Sequence, residues 1–429
     1  MAIIYLLTLC LLVFLFRDRH RFILFYSVFS IVLQPWVCLR FAPPALTVSF
    51  VVNILLCFYC WKGRKKYMSY HPLSTALILS VISVALQALF SSTDMIAAMP
   101  AAINTISSYA IILMIYHEIK NQRDLQYVLM SFVWVGGLLL GYGVYEYFLQ
   151  DNPVFREVMK WGTRDEIYGK IFYRGLMTYE ADTTRFGIER SSSLISIYIS
   201  WGGLCVIFVG FMMFCRDKLQ NLMKPLFWWG MVIIATFCLY TTGSRSAYLY
   251  YIIVVIPFFL CGFNLKTKLF GILLSIIGLI VFKDNVMQVV DSIVNNDKIG
   301  GSSVEMRLMQ LKAVEYVLNN NLIWGLGIKG IHRVLLVNSD VLGAESVWFQ
   351  TLISGGIVGV FLLVGIYGYG SLRFVACSPK KMRFSAVCFV LGWIIFCSIT
   401  SSPGLNISYL FVIMSIIIRY WHIETGLHK

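Results

Sequence analysis

The sequence predicts an all-α polytopic membrane protein, and composition and block pattern carry that reading. Hydrophobic residues make up 59% of the 429 positions and charged residues 13%, whereas a soluble domain carries about a quarter charged residues. Apolar blocks of roughly 15 to 25 residues recur almost end to end, each near the length that crosses a ~30 Å hydrocarbon core as a helix. The blocks are continuous rather than alternating, which excludes a β-barrel.

In chain order, spans are predicted near residues 2–16, 22–39, 45–61, 73–90, 95–116 and 125–149. Others follow near 193–215, 226–243, 246–263 and 268–283, then near 346–370, 383–400 and 404–421. This divides the chain into N-terminal transmembrane helices (1–149), a long loop (150–192), central transmembrane helices (193–283), a second long loop (284–345), and C-terminal transmembrane helices with a tail (346–429). The first block is at the short end of what can span, so twelve or thirteen transmembrane helices are expected. It lacks the basic start and small-x-small cleavage site of a signal peptide and reads as a retained helix. Pro35, Pro43-Pro44 and Pro100 are expected at kinks or helix ends. Gly136-Gly137 and Gly141 offer a face of small residues for close helix packing.

The net charge of +14 raises the question of nucleic acid, and its distribution answers it. Every second short connection is basic: Arg17 to Arg21, Lys62 to Lys66, Lys120 and Arg123, Arg216 to Lys224, Lys266 and Lys268, and Arg373 to Arg383. With the C-terminal tail, these connections hold 20 of the 35 Lys and Arg residues and five acids, so the rest of the chain is near neutrality. The positive-inside rule accounts for the excess, which leaves no argument for a nucleic-acid partner. It also places the basic connections and the C-terminus in the cytoplasm and both long loops outside. All eleven cysteines lie in or beside apolar spans, so no disulfide framework is expected outside the membrane. Cys57-Phe-Tyr-Cys60 has redox spacing but falls within a span end and reads as packing.

Candidate chemistry lies at the outer face. Glu146 near the end of its span is either functional or snorkelling to the interface. The first long loop is balanced in charge, which suits a solvated domain, yet Arg185 and Arg190 stand where the chain returns to the membrane at Ser191-Ser-Ser. Arg245, in Thr241-Thr-Gly-Ser-Arg-Ser-Ala, is a lone charge between two long spans, either an interfacial anchor or a phosphate ligand. In the second loop, Val304, Leu308, Leu311, Val314 and Leu318 form a helical apolar stripe with a serine cap before it. Such a helix can lie on the bilayer surface, with Arg307 and Lys312 on its flanks. Asn319-Asn-Asn and glycines 325, 327 and 330 end it. Arg245, Arg307 and Glu345 are therefore expected to meet. Guanidinium forks suit a diphosphate, and a carboxylate can take a proton from an attacking hydroxyl. No Asp/His cluster with metal-ligand spacing stands near them, and neither metal nor cofactor is expected.

Three segments together resemble the O-antigen ligase and O-antigen polymerase superfamily. Thr242-Gly-Ser-Arg-Ser-Ala is similar to its Ser-Arg motif. Arg307 through Asn321-Leu-Ile-Trp-Gly-Leu-Gly327 resembles its outer-loop pattern. Glu345-Ser346, nine residues, then Gly356-Ile-Val-Gly359 matches the spacing of the ligase signature. Ligases carry His at the first position of that signature and this chain carries Glu345, a departure that favours the polymerase branch. His332, thirteen residues upstream, is a weaker candidate for the base. The resemblance implies a C-type glycosyltransferase-like enzyme at the periplasmic side of a bacterial inner membrane. Its substrates would be undecaprenyl-diphosphate-linked glycans in the lipid bilayer, and a chain-length-regulating membrane protein would be a partner. Glu345, Arg245 and Arg307 would be catalytic, and Arg185, Arg190, Lys312 and Ser346 would bind substrate. Glu345 would be either the base, with its pKa raised by partial burial, or an ion-pair partner of the arginines. A ligase acting on lipid A-core is the alternative enzyme. A flippase is the non-enzymatic one, disfavoured because the charges sit at the outer face and not at the midplane.

Overall fold

The computed structural model describes residues 2–33, 38–39, 46–67, 70–90, 95–154, 184–185, 188–195, 197–262, 321–328, 346–400 and 407–426, with single positions between 287 and 318. The described chain is helical, with apolar helices that fit a membrane. In order they are α1 (Ala2–Arg17), α2 (Arg19–Phe29), α3 (Val48–Lys62), α4 (Arg64–Tyr67), α5 (Ser74–Leu89), α6 (Met95–Glu118) and α7 (Gln122–Leu149). After the first long loop come α8 (Tyr198–Phe214), α9 (Arg216–Leu222), α10 (Pro225–Tyr240) and α11 (Arg245–Gly262), and after the second α12 (Val347–Cys377), α13 (Arg383–Ile399) and α14 (Ile407–Glu424). Two-residue strands pair antiparallel, Cys38–Leu39 (β1) with Leu46–Thr47 (β2) and Thr184–Arg185 (β3) with Ile188–Glu189 (β4).

Among the described residues, α7 and α12 are long and apolar enough to cross a membrane alone, as is the segment Lys380–Ile399 that contains α13. α8 and α9 form a further candidate bent by 81° at Cys215. The span expected near 22–39 takes a different form. α2 starts on an Asp18 cap and ends at Phe29, and the two short strands β1 and β2 follow before α3. The block expected near 268–283 lies outside the described residues.

Packing runs through aromatic rings. Phe214 of α8 meets Phe258, Phe374, Phe389 and Trp421 edge-on at centroid distances of 4.8 to 5.7 Å, which ties together α8, α11, α12, α13 and α14. Inside a membrane this interlocking, and not release of water, drives helix association. The expected small-residue face of α7 is used unevenly. A Cβ at Gly136 would fall 2.1 Å from the Phe208 ring, whereas one at Gly141 would meet nothing within 4 Å. Glycine here makes room for a ring of α8, not for a neighbouring backbone.

Described residues of the basic connections gather at one end of the bundle. His20, in the first turn of α2, bridges Glu118 at the end of α6 (2.7 Å) and Asp124 at the start of α7 (3.0 Å). Lys66 and Tyr67 of α4 also donate to Glu118. Arg419 of α14 donates to the Ile119 carbonyl (2.7 Å), and Lys218 pairs with Glu424 (3.3 Å). α7 starts in this cluster and ends, 28 residues on, at the opposite end.

Candidate functional site

The site is built at that opposite end, and its centre is the turn between α10 and α11. The last carbonyls of α10 have no partners within the helix, and two threonines supply them: Thr241 Oγ1 donates to Cys238 O (2.8 Å) and Thr242 Oγ1 to Leu239 O (2.7 Å). Gly243 then reverses the chain at φ +60°, a conformation open to glycine without strain. Arg245 opens α11 and is half-buried. Arg245 is thus the first residue of a helix whose N-terminal N–H groups and dipole themselves favour an anion.

The Ser191-Ser-Ser segment lies against this turn as a strap. Ser191 N–H donates to Thr241 O (3.1 Å), and the two hydroxyls of Ser191 and Thr241 are 2.7 Å apart. Arg190 donates through Nε to Thr242 O (2.9 Å), and its guanidinium carbon lies 4.1 Å above the Tyr198 ring. Only 7% of Arg190 is exposed. Beneath the strap, Glu146 of α7 accepts Ser192 N–H (2.9 Å) and Ser193 N–H (2.6 Å) on Oε2 and the Asn152 amide (3.0 Å) on Oε1. Glu146 is therefore buried beneath the strap, and snorkelling is excluded.

The second loop returns to the bundle through a backbone lock. α12 is broken at Gly356, with φ +61° and ψ −159°. A break in an apolar helix leaves backbone groups that must find partners, and the Gly325-Leu-Gly327 turn provides them. Leu326 N–H donates to Ile353 O (2.7 Å) and Gly327 N–H to Ser354 O (2.9 Å). In return, Ile357 N–H donates to Leu322 O (2.9 Å) and Val358 N–H to Ile323 O (3.2 Å). A Cβ at Gly356 would sit 2.3 Å from Ile323 O, and one at Gly325 2.5 Å from Gly356 N. The two glycine motifs thus hold one another. Trp324 stacks on Phe90, the C-cap of α5, at 4.2 Å, and Val314, Leu318, Leu326 and Ile353 form a small separate core.

The predicted residues divide as follows. Arg190 and Arg245 are brought to one turn. Ser346 caps α12, its Oγ accepting Trp348 N–H at 3.2 Å, and is buried. Lys312 is exposed on the loop helix. The apolar stripe splits, with Val314 and Leu318 buried and Leu308 and Leu311 exposed. Arg307, Glu345, His332 and Val304 lie outside the described residues, as does the side chain of Arg185, whose backbone pairs with Ile188. Asn152 and Tyr142 did not stand out in the sequence. Tyr142 OH donates to Asn152 Oδ1 (2.8 Å), and a polar pair flanking an acid near a span end is the signal that could have found them.

A helical membrane bundle with a cationic turn at one end and a loop locked into a broken helix is the class that fold and site define. Residues 230–364 match the family described as Wzy_C, O-antigen ligase, and over that segment the chain carries a domain of the O-antigen ligase and polymerase superfamily. The matched segment runs from α10 through the Arg245 turn to α12, so it holds both glycine motifs of the lock. A search of curated proteins finds no match.

Proposed function

We propose that the chain is an O-antigen polymerase of C-type glycosyltransferase-like architecture, joining undecaprenyl-diphosphate-linked repeat units at the periplasmic face of a bacterial inner membrane. The observation that carries this reading is the convergence of Arg190 and Arg245 on one turn, remote from the basic connections, in a chain whose residues 230–364 match the family. On this reading the basic end faces the cytoplasm with the C-terminus, and both long loops are periplasmic. The acceptor sugar hydroxyl attacks the anomeric carbon of the donor from the side opposite the diphosphate. The new carbon–oxygen bond forms as the bond to the diphosphate breaks, and Glu345 takes the hydroxyl proton. Arg245 and Arg307 hold the departing diphosphate, where fixed positive charge lowers the barrier most. Ser346, Lys312 and Arg185 line the approach of the two carriers, and a chain-length-regulating membrane protein acts on the same product.

A ligase is the second reading, favoured by the family's own description. The two differ in acceptor. Deletion of a polymerase leaves single repeat units on lipopolysaccharide, and deletion of a ligase leaves none. The site is tested by Arg245→Lys, Arg307→Lys and Glu345→Gln, each checked for protein in the membrane and for sugar laddering on a gel. A lysine keeps the charge and loses the bidentate fork, so each arginine variant should slow chain growth by about 100-fold. Normal ladders from all three variants would sink the assignment.

A further inference from the structure

We infer that Glu146 is the positioning carboxylate of this site: it clamps the Ser191–Ser193 strap and through it fixes Arg190 and the Thr242 turn in register for Arg245. The functional half of this inference rests on the reading above; the structural half does not. Glu146 is 2% exposed and comes from α7, an element outside the family-matched segment.

The clamp can be followed atom by atom. Both Glu146 oxygens accept N–H groups, Oε2 from two successive strap amides and Oε1 from Asn152. Asn152 in turn donates to Ser193 O (3.0 Å), so the strap is gripped through N–H and C=O alike. Ser193 Oγ donates to Leu139 O (2.7 Å), a second tie to α7. Ser193 itself has φ +54°, a conformation that costs a non-glycine residue about 1 kcal/mol or more and persists only where the surroundings hold it. From the gripped strap, Ser191 reaches Thr241 and Arg190 reaches Thr242, three residues before Arg245. The three described donors require an acceptor at both oxygens, and only a carboxylate meets that requirement. An amide at this position turns an NH2 toward N–H donors on one side or the other. Glu146→Gln therefore keeps the volume and loses the grip.

The test reads the strap and the chemistry separately, with the full chain in native membranes open on both sides. Ser192 is buried and its hydroxyl is unpaired among the described residues, so Ser192→Cys reports on the strap at little cost. Maleimide labelling at position 192 is read by mass spectrometry, alone and with Glu146→Gln, Glu146→Asp or Asn152→Ala. The expected result is a protected thiol in the single variant and labelling at least 10-fold faster with Glu146→Gln. Glu146→Asp, shorter by one methylene, should not restore protection, and Asn152→Ala, which removes one donor, should fall between. Polymerisation should slow 10- to 100-fold with Glu146→Gln, mostly through a higher KM for the donor, because a displaced guanidinium weakens diphosphate binding. A thiol equally protected in all four backgrounds overturns the inference whatever the sugar product. A thiol released with rate and KM unchanged overturns the role toward Arg245. Normal ladders from Arg245→Lys sink the proposed function and leave the labelling result standing. Should Glu146→Gln not accumulate, Asn152→Ala decides alone.

Discussion

At the loop end Glu146 is gripped by backbone and amide N–H groups, while at the basic end Glu118 is gripped by a lysine, a tyrosine and a histidine. Both carboxylates are almost wholly buried, at 2% and 4% exposure. The difference lies in what their described partners can do. Amides neither gain nor lose protons, so the Glu146 grip sets a geometry. The partners of Glu118 titrate, so that cluster joins α2, α4, α6 and α7 by charge and answers to pH. One end of the bundle is organised for placement and the other for assembly.

The largest expected effect breaks the loop end outright. Gly356→Val sets a branched side chain at positive φ and 2.3 Å from Ile323 O, and should cost roughly 3 kcal/mol or more. Thermal unfolding and membrane yield measure it, with Gly141→Ala as the control that should stay near the parent, since a Cβ there meets nothing. Next, Glu118→Leu leaves Lys66, Tyr67 and His20 without their shared acceptor and should cost about 2 kcal/mol, reduced from a fully buried network because Lys66 is partly exposed. The rate per folded molecule should be unchanged, the reverse of Glu146→Gln. Equal loss of rate in both variants would erase the division between the ends.

The pH responses sharpen the comparison. Partial burial opposes charge on His20, but Asp124 and Glu118 outweigh it and raise its pKa above 6.5. A raised imidazole contributes fully below 6.5 and loses that contribution as pH climbs through the raised value. The gap in melting temperature between the parent and His20→Gln should therefore close above pH 6.5. Burial would raise the Glu118 pKa, but Lys66, Tyr67 and His20 hold it down to about 2, so its contribution fades only as pH falls from 4.5 toward 2. His117 answers in the opposite sense to His20. Burial, then Lys66 and Arg419, lower it to about 4, so His117→Gln should soften the loss of stability between pH 6.5 and 4. The smallest effect belongs to Glu424→Gln. Its own side chain is 41% exposed where it meets Lys218, and its contact with Gln122 is exposed, so the change in stability should stay below about 1 kcal/mol.

Sequence was most informative where physics is local. The alternation of basic connections anticipated the gathering of His20, Lys66, Glu118, Asp124 and Arg419 at one end, and Thr-Thr-Gly-Ser-Arg is legible as a capped helix end, a glycine reversal and a new helix start. It was least informative where partners are distant in the chain. Glu146 reads as an acid near a span end, and its strap donors lie 46 and 47 residues away. Gly355-Gly356 reads as spacing in a motif; the break appears only once the loop fills it. Arg190 reads as a hand extended to a carrier, yet its Nε is engaged by a carbonyl of the neighbouring turn. α2 ends at Phe29, inside its apolar block: such a block shows where lipid can be, not where a helix ends.

The lock between the loop and α12 has one more consequence. It is written in carbonyls and amides, and Leu322, Ile323 and Trp324, which lie at or beside the carbonyls it uses, are 48%, 59% and 40% exposed. Trp324 is held by its stack on Phe90, and Leu326 and Ile353 by their small core, but the carbonyls of Leu322 and Ile323 serve the joint whichever side chains those two positions carry. Leu322 and Ile323 can therefore be re-lettered with the fitting unchanged, so that the surface presented at this end varies independently of the joint beneath it.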